Sequence, residues 1–386
     1  MDNLKIKSLG PIKEADVTFG DLTLLVGPQA SGKSIFIQLL KLIVDKKHIR
    51  KTLEQYSFIW SKDPNEVLDR YFGEGMNGVW DDKKTTVHFD NHVIDKKYLA
   101  PKSKDLKDNE ETLFYIPAQR ILSISDGRPK NFMEFDTSTP YVLAYFSETL
   151  RQLLQNGLSK QGTIFPRPQR LKDTLKTSFN DSIFHDGQVV IDDKSGQKKL
   201  KMNVGNMSLP FMTWSAGQKE FMPLLLSFYW LCPPSQTAQK DKIKYVVIEE
   251  PEMGLHPQAI KSILLQVMDL MDRGYKVIIS THSPVMLEFA WAIKLLQNNK
   301  ADFKALLALF DLKNTAPIKD MFKNILDNKS INTYYFDRGV NNQVTVKDIS
   351  SLDAGSEDAA VSEWGGLSSF ISKASDIISK IVAANA

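Results

Sequence analysis

The chain has 386 residues, 42% hydrophobic and 25% charged, with a formal net charge of +3. That balance suits a globular protein with one large core or two modest ones, and it neither demands nor excludes a nucleic-acid partner. A single cysteine, Cys232, excludes an intramolecular disulfide and a multi-cysteine metal site, and no apolar run approaches the ~20 residues a membrane span requires.

The charged start, Met1 to Lys5, has no signal-peptide apolar region behind it. A cytoplasmic location and a buried, inert Cys232 are therefore expected. Residues 4–26 alternate apolar and polar positions in two or three predicted strands, with turns at Gly10-Pro11 and Gly20-Asp21. The run ending in Leu24-Leu25-Val26 reads as a buried strand and passes into Gly27-Pro28-Gln29-Ala30-Ser31-Gly32-Lys33-Ser34. Gly27, Gly32, Lys33 and Ser34 fit G-x-x-x-x-G-K-[ST], the phosphate-binding loop. Its glycines let backbone N–H groups curl around phosphate oxygens, its lysine reaches the β- and γ-phosphates, and its hydroxyl takes one place on Mg²⁺. Ile35, Phe36, Leu39, Leu40 and Ile43 follow at helical spacing, which gives the motif its strand–loop–helix setting. ATP and Mg²⁺ are the expected ligands, with Gly27, Gln29, Ser31, Gly32, Lys33, Ser34 and Ile35 as candidate nucleotide contacts.

Further strands are predicted at 85–89 and 113–116, the latter closed by Pro117. Residues 139–180 read as helical, with a hairpin after them at 188–191 and 199–202. The basic clusters at 46–51, 167–176 and 198–201 read as solvated faces. In "TWSAGQKE", Ser215 to Gln218 open an apolar helix, which sets a hydroxyl and free N–H groups at a helix N-terminus. "KYVVIEEPE" delivers Glu249 and Glu250 at the carboxyl end of a buried strand, where open α/β sheets bind ligands. Side chains alternate along a strand, so the two acids take different roles: Glu249 holds Mg²⁺ and Glu250 polarises the attacking water. "KVIISTHSP" ends a second such strand in His282, placed to bond a γ-phosphate oxygen. Region 298–330 reads as helical, a last strand lies near 334–336, and 352–363 reads as an acidic loop. Phe370, Ile371, Ala374, Ile377, Ile378, Ile381 and Val382 make one apolar stripe, expected to pack on the chain's own core. Strands alternating with helices predict a mostly parallel sheet covered on both faces.

Taken in this order, the four motifs resemble those of the ATP-binding cassette ATPases, in the branch containing SMC, RecF and OLD-type proteins. The resemblance implies an α/β fold: a P-loop NTPase with an ABC-ATPase-type head, a mixed β-sheet and an inserted helical lobe. It also implies a homodimer or higher even oligomer in which Lys33, Ser34, Glu249, Glu250 and His282 of one copy face Ser215, Gly217 and Gln218 of another. "FYIPAQR" resembles the family's Q-loop, which makes Gln119 a contact of Mg²⁺ and of the lytic water, and "PEMGLHP" resembles its D-loop. Glu249 stands where aspartate is usual, Ala216 replaces a glycine, Trp214 a leucine and Gln29 an asparagine. The implied organisation is a core split between 1–130 and 211–345, a lobe with a hairpin at 131–210, and a loop and helix at 346–386.

OLD-like proteins append a TOPRIM nuclease. The residues after His282 are too few for one and contain no Asp-x-Asp, so an ATPase without its own nuclease is expected. It looks like the ATPase components of bacterial anti-phage systems such as PARIS or Septu, which hold or release a separate effector nuclease or toxin. Alternatives are a RecF- or SMC-like DNA-binding ATPase of repair or segregation, and an ATP-binding scaffold with little turnover. No membrane partner is expected, because the stretch from Lys33 to Ser215 is far longer than in a compact transporter cassette.

Overall fold

The computed structural model describes residues 2–100, 110–158, 162–192, 196–233, 239–240, 242–339, 341–353, 355–362 and 364–366, and beyond them 374, 377 and 378. Strands β1 (Asn3–Leu9) and β2 (Ile12–Thr18) form an antiparallel hairpin with alternating burial, as a sheet with one wet face requires. All five residues of β3 (Leu22–Val26) are buried, which marks a strand covered on both faces. Helix α1 (Lys33–Gln55) follows the loop, and its buried Lys41 donates to Asp45 (2.7 Å), Glu111 (2.8 Å) and the Leu113 carbonyl (2.6 Å). Asp45 leaves helical geometry and accepts the N–H groups of Thr112 and Leu113, both at 3.0 Å. Burial opposes the Lys41 cation, but Asp45 and Glu111 outweigh it and hold the group protonated. The helix behind the loop is thereby fixed to the next core strand.

Helix α2 (Pro64–Phe72), which the apolar periodicity did not reveal, starts on an Asp63 cap with proline in its first turn. Strands β4 (Thr86–Phe89) and β5 (His92–Ile94) extend the wing of β1, and β6 (Leu113–Ile116) opens the other edge. After the small hairpin β7 (Ile124–Ser125) and β8 (Arg128–Pro129) comes the lobe: α3 (Tyr141–Gln152), β9 (Thr163–Phe165), α4 (Asp173–Phe179), β10 (Gln188–Asp192), β11 (Lys199–Val204) and β12 (Met207–Pro210). The helix expected over 139–180 is thus broken by a strand. Thr163-Ile164-Phe165 is β-branched and aromatic, lies between Gly162 and Pro166, and pairs with β10.

The chain then returns to the main sheet through α5 (Ala216–Leu231), β13 (Tyr245–Glu249), α6 (Pro257–Asp272), β14 (Lys276–Thr281), α7 (Pro284–Asn298), α8 (Lys304–Phe310), α9 (Ala316–Asn328), β15 (Ile331–Arg338) and β16 (Val344–Asp348). The ten-stranded order is β5-β4-β1-β2-β16-β15-β3-β14-β13-β6. The block β15-β3-β14-β13-β6 is parallel throughout, whereas the β1–β2, β1–β4, β4–β5 and β15–β16 pairs are antiparallel. β16 and β2 also pair in parallel, so five of the nine pairs are parallel and four antiparallel, and the sheet is mixed, as the expected ATPase head implied. Turns as short as those of β1–β2, β4–β5 and β15–β16 allow only antiparallel neighbours, while parallel ones need the long helical crossovers of the other half.

Two cores lie on opposite faces: Val246, Ile248, Phe221 and Phe146 belong to one, Val247, Leu25, Phe36 and Ile278 to the other. The basic clusters are less solvated than expected. Lys46 is buried and donates to the Tyr98 carbonyl, Arg167 is buried against the carbonyls of Leu158 and Thr163, and Arg170 bonds that of Tyr229. Their charge is spent on carbonyls that helix ends and turns leave over. Cys232 is buried, and burial pushes its thiol up to about 12. The stripe at 370–382 lies mostly outside the described residues; Ile377 and Ile378, which are described, are exposed. Among the described residues no helix is long and apolar enough to cross a membrane.

Candidate active site

β3, β14 and β13 run side by side and parallel, with Val26 opposite Thr281 and Ser280 opposite Glu249. The residues just past their carboxyl ends, Gly27, His282 and Glu250, therefore meet on one rim. A Cβ on Gly27 (φ +146°) would stand 2.7 Å from the Phe336 carbonyl oxygen, and one on Gly32 (φ +86°) 3.0 Å from the side chains of Pro11 and Ile12. Only glycine gives the loop this path. Gly32 offers no side-chain cap, so the first N–H groups of α1 stay open for an anion. Lys33 folds over the loop and donates to the carbonyls of Gly27 (2.8 Å) and Pro28 (2.9 Å) and to Ser31 Oγ (3.3 Å). Burial pushes its ammonium down to about 8, against the pull of Glu250, Glu249 and Glu252. Gln29 and Ser34 are exposed, Ser31 is buried, and Ile35 packs against the core around α1.

The two acids differ in the way their surroundings dictate. Glu249 ends β13 inside the protein; its Oε2 accepts the Ala118 N–H (3.3 Å), and its Oε1 is buried without a hydrogen-bond partner among the described residues. Burial pushes its carboxyl up, opposed by the hydroxyls of Ser34 and Tyr115 that face it. A buried carboxylate oxygen with an unused lone pair beside a serine hydroxyl suits a hard divalent cation such as Mg²⁺. Glu250 lies one residue beyond the strand with φ +43°, a strained conformation for a non-glycine residue. Its N–H donates to the Ser280 carbonyl (2.8 Å), and its Oε1 meets His282 Nε2 at 3.1 Å. That bond with His282 pulls the Glu250 carboxyl below the usual range. Two neighbouring carboxylates pushed in opposite directions are suited to two roles.

Three residues complete the rim without having been singled out by motif spacing. Glu252 Oε1 accepts from the Thr281 hydroxyl (2.5 Å) and the His282 N–H (2.9 Å), which holds the histidine's backbone. Tyr115 lies on β6 opposite Val247, and its hydroxyl meets both Glu249 and Gln38 of α1. Ala118 brings its N–H to Glu249. The one available signal was position: Glu252 follows the acids by a turn, and Tyr115 sits on the strand that ends at Pro117.

Gln119 lies beside this rim and is exposed, while Arg120 is buried and bonds main-chain carbonyls, not an exposed anion site. Ser215 caps α5: its Oγ accepts the Gln218 N–H (3.2 Å), and Gln218 Oε1 accepts the Ser215 N–H (3.1 Å). This capping box and a bond to the Ile183 carbonyl occupy the Gln218 side chain. Ser215 itself is exposed, and Ala216 sits in the first helical turn, where its methyl is tolerated. A Cβ on Gly217 would stand 3.1 Å from the Gly254 carbonyl, so α5 rests closely on the turn after the acids. Among the described residues no hydrogen bond or ion pair joins Ser215, Gly217 or Gln218 to the phosphate loop. The chain brings together Lys33, Ser34, Glu249, Glu250 and His282; the start of α5 meets the turn after the acids through Gly217 and Gly254 and leaves Ser215 exposed.

A family model described as "AAA domain, putative AbiEii toxin, Type IV TA system" matches residues 101–288. The Old nuclease of Escherichia phage P2 is 25% identical over 257 residues, covering 64% of this chain and 40% of that protein, so the chain spans about two fifths of the curated relative's length. Among solved structures, the SMC head domain from Thermotoga maritima is 11% identical with a TM-score of 0.37, covering 90% of this chain and 98% of that one. The dimeric bacterial ABC transporter cassette MJ0796 is 11% identical with a TM-score of 0.35, covering 74% and 90%. The glycine cradle with its lysine and the paired acids on one rim are the parts of a P-loop nucleotide site, and over 101–288 the chain is similar to the AAA-domain family that this model describes, as it is to the Old nuclease.

Proposed function

We propose that the chain hydrolyses ATP in a pocket completed by a second copy, and that this cycle is a switch controlling a separate effector nuclease or toxin in a bacterial anti-phage system. The observation that carries the catalytic part is the convergence of Lys33, Ser34, Glu249 and the Glu250–His282 pair beyond three adjacent parallel strands. The likeness to a phage-encoded Old nuclease and to a toxin–antitoxin family supports the defence setting. Lys33 leaves its loop carbonyls to meet the terminal phosphates, and the open N–H groups of α1 bind the phosphate oxygens. Ser34 and Glu249, with Gln119 beside them, would hold Mg²⁺, which supplies charge neutralisation on the phosphate oxygens. Glu250, ionised and steered by His282, orients the attacking water and accepts its proton. Ser215 and the N-terminus of α5, exposed and apart from the loop, supply the opposite wall from the second copy.

The test is specific activity against protein concentration. Hydrolysis per chain falls on dilution as copies separate; a constant rate down to the monomer removes the composite pocket, and with it the switch.

The depressed Lys33 also gives a pH signature. Its charged form binds phosphate and dominates below about 8 in the free protein, so affinity is full there and declines as pH rises. Metal-free ATP, measured in EDTA by titration calorimetry, binds about fivefold more weakly at pH 9 than at pH 8. A lysine at its ordinary value would give a flat profile over that interval.

A further inference from the structure

Arg120 is the largest fully buried side chain among the described residues, and the chemistry above leaves it without a task. Its contact with Glu220 Oε2 is long, 3.9 Å, and among the described residues Nη2 has no hydrogen-bond partner. The guanidinium is held instead by carbonyls. Nη1 donates to those of Ala118 (3.5 Å), Glu249 (3.2 Å) and Glu250 (3.1 Å), and Nε to that of Glu220 (3.2 Å). These come from three separate segments: the run after β6, the end of β13, and the first turns of α5, which Ser215 opens. Burying a cation without a close carboxylate carries a desolvation penalty that an apolar side chain of equal volume would avoid.

The distribution of those bonds suggests what offsets that penalty. Glu250 is in the left-handed region, its N–H is fixed by Ser280, and its carbonyl makes the shortest of the four Arg120 bonds. The same guanidinium reaches the main chain of α5, whose first turn already touches the turn after the acids through Gly217 and Gly254. A planar fork with donors on two sides can span these segments, whereas an ammonium is a point donor.

We propose that Arg120 is a positioning residue that ties the first turns of α5 to the peptide of Glu250, so that a shift of Ser215 reorients the Glu250 carboxylate. It rests on the reading of Glu250 as the group that orients water. Ligand contact at the helix N-terminus is thereby coupled to the acid that needs it, through four carbonyls and one side chain.

The test compares Arg120→Lys, Arg120→Gln and Glu250→Gln with the wild-type full chain, measuring melting temperature, binding of a fluorescent ATP analogue with Mg²⁺, and steady-state phosphate release. In Arg120→Lys, kcat falls roughly 100-fold, as expected for a small misplacement of a reacting group, while analogue affinity stays within about threefold. Wild-type kcat in Arg120→Lys, with Glu250→Gln inactive, overturns the proposal and leaves the site reading standing. Affinity and melting temperature lost in step with kcat mark a core staple and overturn it as well. Wild-type kcat in Glu250→Gln removes the site reading, and the proposal falls with it. Should the lysine variant not fold, Arg120→Gln, which buries no charge, is judged by the same split; if neither folds, Arg120 is a staple and the proposal is wrong.

Discussion

In Glu250→Gln, ATP turnover falls roughly 10²- to 10⁴-fold while nucleotide affinity stays within about threefold of wild type. Glutamine keeps the size of the side chain and can still bond His282, so the rim remains assembled. What it loses is a proton acceptor. In the wild type that acceptor is ionised at neutral pH, its carboxyl held below the usual range by the bond with His282, and it stands half-exposed at the open end of the sheet. The groups that bind phosphate, Lys33 and the first N–H groups of α1, keep their positions; Lys33 loses the pull of the Glu250 charge and keeps that of Glu249 and Glu252. Phosphate release and titration calorimetry on the same sample separate the two quantities. No other described acid is placed to stand in: Glu249 is buried, and Glu252 is engaged by Thr281 and His282. Turnover at the wild-type rate would therefore remove the catalytic assignment altogether.

The parts legible in the sequence were those where a residue type has one mechanical use. Gly27 and Gly32 follow from backbone paths that a Cβ would block, and Glu249, Glu250 and His282 follow from apolar runs that leave their next residue at a sheet end. Strand direction in the outer half was not legible. Alternation is the same for parallel and antiparallel neighbours, so β1, β2, β4 and β16 could not declare their pairing. Helix α2 was hidden for a different reason, since its start lies in a capping aspartate and a proline within a mainly polar stretch. Arg120 shows the deepest limit. Its role depends on carbonyls from three segments, the farthest 130 residues from Arg120 along the chain, and a carbonyl carries no trace in the side-chain alphabet.

Two inactive variants should restore each other when mixed. A Lys33→Ala chain lacks the cation that meets the terminal phosphates, and a Ser215→Arg chain sets a bulky cation at the exposed, already positive end of α5. Alone, each forms dimers in which both pockets carry the same lesion. A mixed dimer is different. One pocket combines the intact loop of the Ser215→Arg chain with the intact α5 start of the Lys33→Ala chain, and the other pocket carries both lesions. Random pairing makes half the dimers mixed with one sound pocket in each, so an equimolar mixture recovers about one quarter of wild-type activity if the pockets act independently. Differently tagged chains, co-purified before the assay, establish that mixed dimers formed. With those dimers in hand and no recovered hydrolysis, Ser215 and Lys33 cannot lie on opposite sides of one nucleotide, and a pocket shared between two copies is ruled out.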